Sequence, residues 1–179
     1  MSLFLAFPIN NFDKQQLKIP INQFSKHLVS GDLEDSAALH ITLLHVLDDD
    51  IYPTIKMMKL WEQYYKSQRQ SFIVKANKFN HFNDIYWLGL DNALPLYQIN
   101  AEFRKLAEYL NISYDKSHGD YTPHITISFN SVIDDANQMS KLSFNPIPIT
   151  IDSIVLWGYD EKIKNVHISS TLYQINLRK

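Results

Sequence analysis

Ala38-Leu39-His40-Ile41-Thr42-Leu43-Leu44-His45-Val46-Leu47 is the stretch that decides the reading of this chain, because its centre returns 84 residues downstream as Pro123-His124-Ile125-Thr126-Ile127. Both stretches are short, apolar and rich in β-branched residues, which predicts strands. Side chains alternate faces along a strand, so His40 and Thr42 share one face while Ile41 and Leu43 share the other, and the second copy repeats the arrangement. A His and a Thr two residues apart stand roughly 6.5–7 Å from each other at strand rise, a gap in which one phosphate oxygen accepts from both. Two such strands side by side would present four polar groups to a single phosphate. Alternation also predicts that His45, five residues after His40, points to the opposite face and cannot share a metal with it. A looser copy, His167-Ile168-Ser169, is followed by Ser170 instead of an aliphatic residue and reads as ordinary strand sequence near a turn.

Working outward, residues 2–8 read as a first strand and residues 12–29 as a helical stretch broken or restarted near Pro20. A strand at Ala38–Leu47 ends at Asp48-Asp49-Asp50, and a helix over Pro53–Gln68 carries an apolar stripe of Ile55, Met58, Trp61 and Tyr65. Phe72–Phe79 and Ile85–Leu90 form a predicted hairpin turning at Asn80-His81-Phe82-Asn83. Leu96, Ile99, Phe103, Leu106 and Leu110 fall at helical spacing, with Asn111 as the stop. Strands at His124–Phe129, Ile147–Trp157 and Val166–Leu177 complete about seven strands and three helices.

With 179 residues, 45% hydrophobic and 13% aromatic, the chain can bury one substantial core. Its longest apolar runs are of strand length, well short of the roughly 20 residues of a membrane span. The start, Met1-Ser2-Leu3-Phe4-Leu5-Ala6-Phe7-Pro8, has neither a basic leading region nor a small-residue cleavage site, so a cytoplasmic location is expected. The absence of cysteine excludes disulfides, thiolate nucleophiles and cysteine-ligated zinc. A formal net charge of −2 gives no broad attraction to nucleic acid, which argues against a DNA-binding protein and for a local site holding any nucleotide. The four glycines, Gly31, Gly89, Gly119 and Gly158, form no phosphate-cradling loop.

The residue types in the repeated motif fit phosphodiester chemistry. Opening such an ester needs a base for the attacking oxygen and an acid for the leaving one, and imidazole, with an ordinary pKa of about 6.5, does either at neutral pH. Threonine hydroxyls would steady charge on the non-bridging oxygens, and no metal or cofactor is called for. Six threonines and seven histidines in 179 residues yield roughly 0.2 His-x-Thr matches by chance, so two matches inside strands stand above background.

These motifs, together with the opening Phe4-Leu5-Ala6-Phe7-Pro8, the central hairpin and helix, and the closing Ile154-Val155-Leu156-Trp157 and Tyr173-Gln174-Ile175-Asn176-Leu177, resemble the 2H phosphoesterase superfamily over nearly the whole chain. That superfamily includes bacterial 2′-5′ RNA ligases, cyclic nucleotide phosphodiesterases and 2′,5′-oligoadenylate phosphodiesterases. The resemblance implies one domain, residues 1–179, of two interlocked, pseudo-symmetric lobes. The implied fold is α+β and bilobal, with two mainly antiparallel sheets facing each other across a central cleft and helices on the outer faces. It implies His40 and His124 as the acid and base, Thr42 and Thr126 as phosphate ligands, and Tyr121 as a contact to base or ribose. Its implied substrates are 2′,3′-cyclic phosphates of nucleotides or RNA ends, or 2′-5′ linkages, handled by a monomer that engages no membrane and no DNA. Many bacterial ligase-like members carry an arginine shortly after the second threonine, where this chain has Ser128-Phe129-Asn130.

The remaining polar and aromatic residues have plainer readings. His45 is expected to be packed or hydrogen-bonded, and His81 and His118 to lie in loops. Asp48-Asp49-Asp50 is expected as a solvated strand end. Trp87, Trp157 and Phe82 are expected in the core in preference to stacking on a base. Lys75 and Lys78 are candidate contacts to a phosphate backbone. Two rival functions stand beside the phosphodiesterase: a non-catalytic RNA- or nucleotide-binding module, and a metal-dependent hydrolase using histidine with the Asp48–Asp50 run.

Overall fold

The first strand, β1 (Ser2–Pro8), alternates Leu3, Leu5 and Phe7 into the core and lies in the interior of the sheet. The computed structural model describes residues 2–35, 38–47, 51–117, 119–134, 142–159 and 170–178. Asp48-Asp49-Asp50, His118, His167-Ile168-Ser169 and the start of the strand expected from Val166 lie outside the described residues.

After β1 come α1 (Asn11–Ser25), β2 (Leu28–Leu33), β3 (His40–Val46), α2 (Ile51–Tyr64), a 3-10 turn (Lys66–Gln68), β4 (Phe72–Phe82), β5 (Ile85–Asp91), α3 (Leu94–Tyr109), β6 (His124–Ile133), β7 (Ile147–Ile151), β8 (Ser153–Tyr159) and β9 (Ser170–Asn176). The strands form one antiparallel sheet in the order β7-β4-β5-β6-β3-β1-β8-β9, with β2 paired to β6, and the sheet is strongly curled. The two expected sheets are thus hydrogen-bonded into one. Their joint is a single register pair, Ile41 on β3 with Ile125 on β6, and on either side of it the strands diverge.

Several boundaries differ from the sequence reading. Leu28 and Val29, expected to end a helix, instead open β2, a strand exposed along most of its length. Its face shows no apolar alternation, so only pairing with β6 identifies it. Helix α1 runs unbroken through Pro20, which loses one hydrogen bond but buries its ring beside Leu17, Ile21 and Phe24. The hairpin turns later than expected, at Asn83 with φ 53°, so Asn80, His81 and Phe82 belong to β4. The segment expected as one strand from Ile147 to Trp157 is two, β7 and β8, separated at Asp152.

Helices cover one side of the sheet. Phe24 of α1 packs on Phe79 and Tyr86, with ring centroids 6.3 and 5.1 Å away. Asn10 caps α1 by accepting from the Asp13 amide at 2.8 Å, and the buried Asp13 carboxylate accepts from the Thr150 amide at 2.7 Å, fixing the helix start to β7. Helices α2 and α3 stack through Trp61 and Phe103, 5.2 Å apart and nearly parallel. α3 ends where expected, with Asn111 at φ 55°. Among the described residues no helix is long and apolar enough to cross a membrane. The side of the sheet opposite the helices carries both His-Ile-Thr motifs.

Candidate active site

The two motifs meet at the sheet's central joint. Because β3 and β6 are antiparallel and Ile41 pairs with Ile125, His40 comes opposite Thr126 and Thr42 opposite His124. Each histidine therefore faces the other strand's threonine, with the two rings on a diagonal that spans about 7–8 Å between backbones. Ile41 and Ile125 are fully buried on the reverse face, and they anchor the strands to the core.

The local geometry of the motifs matches in three respects. In each, the histidine Nδ1 lies 2.7 Å from the carbonyl two residues earlier, Ala38 for His40 and Thr122 for His124. A carbonyl only accepts, so Nδ1 carries the proton and donates, which leaves Nε2 as the site of proton exchange in both rings. His40 Nε2 lies 3.2 Å from Thr42 Oγ1, which brings His and Thr of one motif onto a common acceptor position.

Second, each threonine is followed by a β-bulge. The β1–β3 register passes from Ala6 opposite Thr42 to Leu5 opposite Leu44, leaving Leu43 extra, and the β5–β6 register passes from Trp87 opposite Thr126 to Tyr86 opposite Ser128, leaving Ile127 extra. Bulges bend a strand and re-aim its side chains. Third, the carbonyl of each bulged residue is satisfied from elsewhere in the fold. Buried Asn100 on α3 donates to Leu43 O at 2.7 Å, and the Glu34 amide donates to Ile127 O at 2.9 Å.

The bulge at Leu43 corrects the expectation for His45. It reverses the alternation, so His45 pairs with Phe4 and turns to the same side as His40 instead of the opposite one. Separation along the strand, up to about 16 Å over five residues, still keeps the two apart. His45 Nδ1 instead lies 3.9 Å from Asp115 Oδ2. His81 is on β4, not in a loop, and stacks on Tyr86 at 5.5 Å on the helical side of the sheet, away from His124.

Aromatic rings wall both histidines. His40 lies 5.4 Å from Phe4 and 5.3 Å from Trp157, and His124 lies 5.1 Å from Trp87. Both tryptophans, expected in the core, are half-buried beside the motifs, while Phe82 is exposed at the hairpin. Burial among these rings holds the His40 pKa below the ordinary imidazole value. The bond to Ala38 offsets this in part, and the nearby positive charges of His124 and Lys14 push in the same direction as burial. Burial therefore favours the neutral form of the His40 ring.

Lys14, on the first turn of α1, escaped the sequence reading. It stands within electrostatic reach of His40, and burial lowers its own pKa against an opposing pull from Asp35. Nothing in motif spacing could have revealed it, since α1 reaches the site only because Pro8, at the end of β1, pairs with His40. Tyr121 is tied inward: its hydroxyl donates to Thr42 O at 3.1 Å, and its ring meets Tyr97 edge-on at 5.6 Å. Burial and Tyr97 raise its pKa, so the hydroxyl remains a donor throughout the working range. Any contact of Tyr121 to a substrate would come from the ring. Among the described residues no three His, Asp or Glu side chains gather as a metal site would require.

The chain's similarities agree with this architecture. A 15% identical structure, TT0787 of Thermus thermophilus, superposes with a TM-score of 0.79 over 99% of this chain and 98% of that one. Escherichia coli LigT complexed with 3′-AMP, 16% identical, gives 0.75 over 99% and 98%. The MHV ns2 PDE domain, 14% identical, gives 0.60 over 87% and 96%. No curated protein sequence matches the chain. The sequence model of the 2′-5′ RNA ligase superfamily matches residues 14–163, a span that includes both His-Ile-Thr motifs, and the chain belongs to that superfamily of enzymes acting on phosphodiester bonds.

Proposed function

We propose that the chain is a metal-independent phosphodiesterase that opens 2′,3′-cyclic phosphates of nucleotides or RNA ends, or cleaves 2′-5′ linkages, by proton transfer between His40 and His124. The observation that supports this reading is the matched anchoring of the two rings: both Nδ1 atoms are spent on backbone carbonyls, which leaves the two Nε2 atoms, on one sheet face, available for proton transfer. Both motifs lie in one chain, so a monomer completes the site.

In the hydrolytic direction neutral His40 takes a proton from water at Nε2 as the water oxygen attacks phosphorus. Protonated His124 gives its Nε2 proton to the ribose oxygen as the P–O bond breaks. Thr42 and Thr126 donate to the non-bridging oxygens, where negative charge accumulates. The assignment of His40 as base rests on its lowered pKa. Nucleotide binding by a neighbour of the same fold supports a nucleotide substrate: LigT has been solved with 3′-AMP, ATP and NADP+.

The test is turnover of 2′,3′-cyclic nucleotides and 2′-5′ oligoadenylate in EDTA, with the product phosphate located. Activity should persist with chelator and fall by roughly 10²–10⁴ in His40→Ala and in His124→Ala. Loss of activity in EDTA, or full activity in either variant, would sink the mechanism. Binding without turnover would favour the nucleotide-binding module instead.

A further inference from the structure

Beyond His124 the same sheet face carries polar groups that neither the fold nor the four motif residues use. Register aligns His124, Gly89 and Lys78 in one row across β6, β5 and β4, and Thr126, Trp87 and Asn80 in the next. Residues paired across antiparallel strands share a face, so Lys78 and Asn80 stand on the side of the histidines. Gly89, between them and His124, is buried and has no side chain. A Cβ built there would lie 2.9 Å from Asn80 Nδ2 and 3.2 Å from both Cγ and Cε of Lys78. The lysine stem and the asparagine amide therefore lie over the glycine, in space that any side chain at position 89 would fill.

Asn80 Nδ2 is buried and has no hydrogen-bond partner. A buried donor without an acceptor is costly and calls for an explanation. Lys78 is exposed, and its ammonium also only donates. An unpartnered amide donor beside a lysine stem, over a glycine shelf, suits a group that only accepts, and an anion best of all. Trp87, 5.1 Å from His124, stands in the neighbouring row as a surface for a planar ring. Two strand spacings, about 10 Å, separate the backbones of His124 and Lys78, and the lysine stem shortens that gap. This is the order of separation a nucleoside imposes between phosphates at its two ends.

We propose that Lys78 and Asn80, lying over Gly89, form a second phosphate subsite, so that the preferred substrate carries a further phosphate one nucleoside away from the bond that reacts. The proposal rests on the phosphodiesterase reading above and names its substrate class. It is tested with adenosine 2′,3′-cyclic phosphate bearing or lacking a 5′-phosphate. The intact protein should prefer the 5′-phosphorylated form in kcat/KM by at least about tenfold, the range of a charged hydrogen bond. Lys78→Met and Asn80→Asp should each erase most of that preference, and Lys78→Arg should retain it. A purely structural role would lower both rates together and leave the ratio unchanged, and that result overturns the proposal.

If the protein hydrolyses neither compound, the cyclic-phosphate branch of the phosphodiesterase reading fails on its own. Calorimetric titration with adenosine 3′,5′-bisphosphate and with adenosine 3′-monophosphate then decides the subsite. Tighter binding of the bisphosphate, lost in Lys78→Met, supports it, and equal affinity refutes it.

Discussion

Asn100 ties the helical layer to β3, the strand of the first His-Ile-Thr motif, through one hydrogen bond, and its replacement by leucine tests how far the geometry of the candidate site depends on that bond. The amide is buried and donates to Leu43 O at 2.7 Å, the carbonyl that the bulge after Thr42 removes from ordinary strand pairing. Asn100→Leu keeps the heavy-atom count and branching, so no cavity opens, but it leaves a buried carbonyl without a donor. Such a loss costs about 1–3 kcal/mol. For a chain of this length each kcal/mol lowers Tm by about 2–4 °C, so a drop of about 4–8 °C is expected for a 2 kcal/mol loss. The bulge also sets where Thr42 points, and kcat/KM on a 2′,3′-cyclic nucleotide should fall by up to about 10²-fold, the scale of an ångström-sized misplacement. Asn100→Asp supplies the control. The buried acid can donate to Leu43 O only when protonated, so its folded-state pKa lies above the unfolded value of about 3.9. Its stabilising bond is therefore present below about pH 4 and lost as pH rises through the folded pKa, and the deficit against the unaltered protein should widen from pH 4 to pH 7. Thermal melts that agree within about 1 °C between Asn100→Leu and the unaltered protein would refute the reasoning.

Other perturbations probe other links. The acidic limb of the pH profile of kcat/KM should lie below about 6.5, because the base must be neutral and burial lowers its pKa, and Trp157→Ala should move that limb upward by exposing the His40 ring. A limb above 6.5 in the unaltered protein would reassign the base. Gly31→Ala forces a side chain onto φ +123° and sets its Cβ 2.5 Å from Ser131 Oγ and 2.8 Å from Asn130 O. Its urea midpoint should report a loss of more than about 2 kcal/mol, since the neighbouring backbone cannot move aside cheaply. Tyr121→Phe removes the donor to Thr42 O and should cost about 1 kcal/mol in urea unfolding, with a measurable fall in kcat/KM. Unchanged turnover would show that this bond does not position Thr42.

The candidate site was legible because its signal is local. His and Thr two residues apart on an apolar strand share a face by the period of the backbone alone, and the repeat of that pattern at His124 identified the partner strand. Helix α3 was legible for the same reason, since Leu96, Ile99, Phe103 and Leu106 mark its buried stripe within one segment. Strand β2 was not, because its side chains are exposed and only its hydrogen bonds to β6 define it. The turn at Asn83 was misjudged because Asn80 and His81 look like turn residues until β5 pairs with them.

The sequence by itself therefore determined the α+β class, the strands that bear His40, Thr42, His124 and Thr126, and the chemistry those side chains support. Tertiary structure alone decided the single joint at Ile41 and Ile125, the paired bulges, of which the one at Leu43 brings His45 to the unexpected face, and the arrival of Lys14, Asn100, Lys78 and Asn80 around the motifs. The physical reason is range: alternation is dictated by each residue's neighbours in the chain, whereas register, bulges and the unpaired Asn80 amide depend on which distant strand lies alongside.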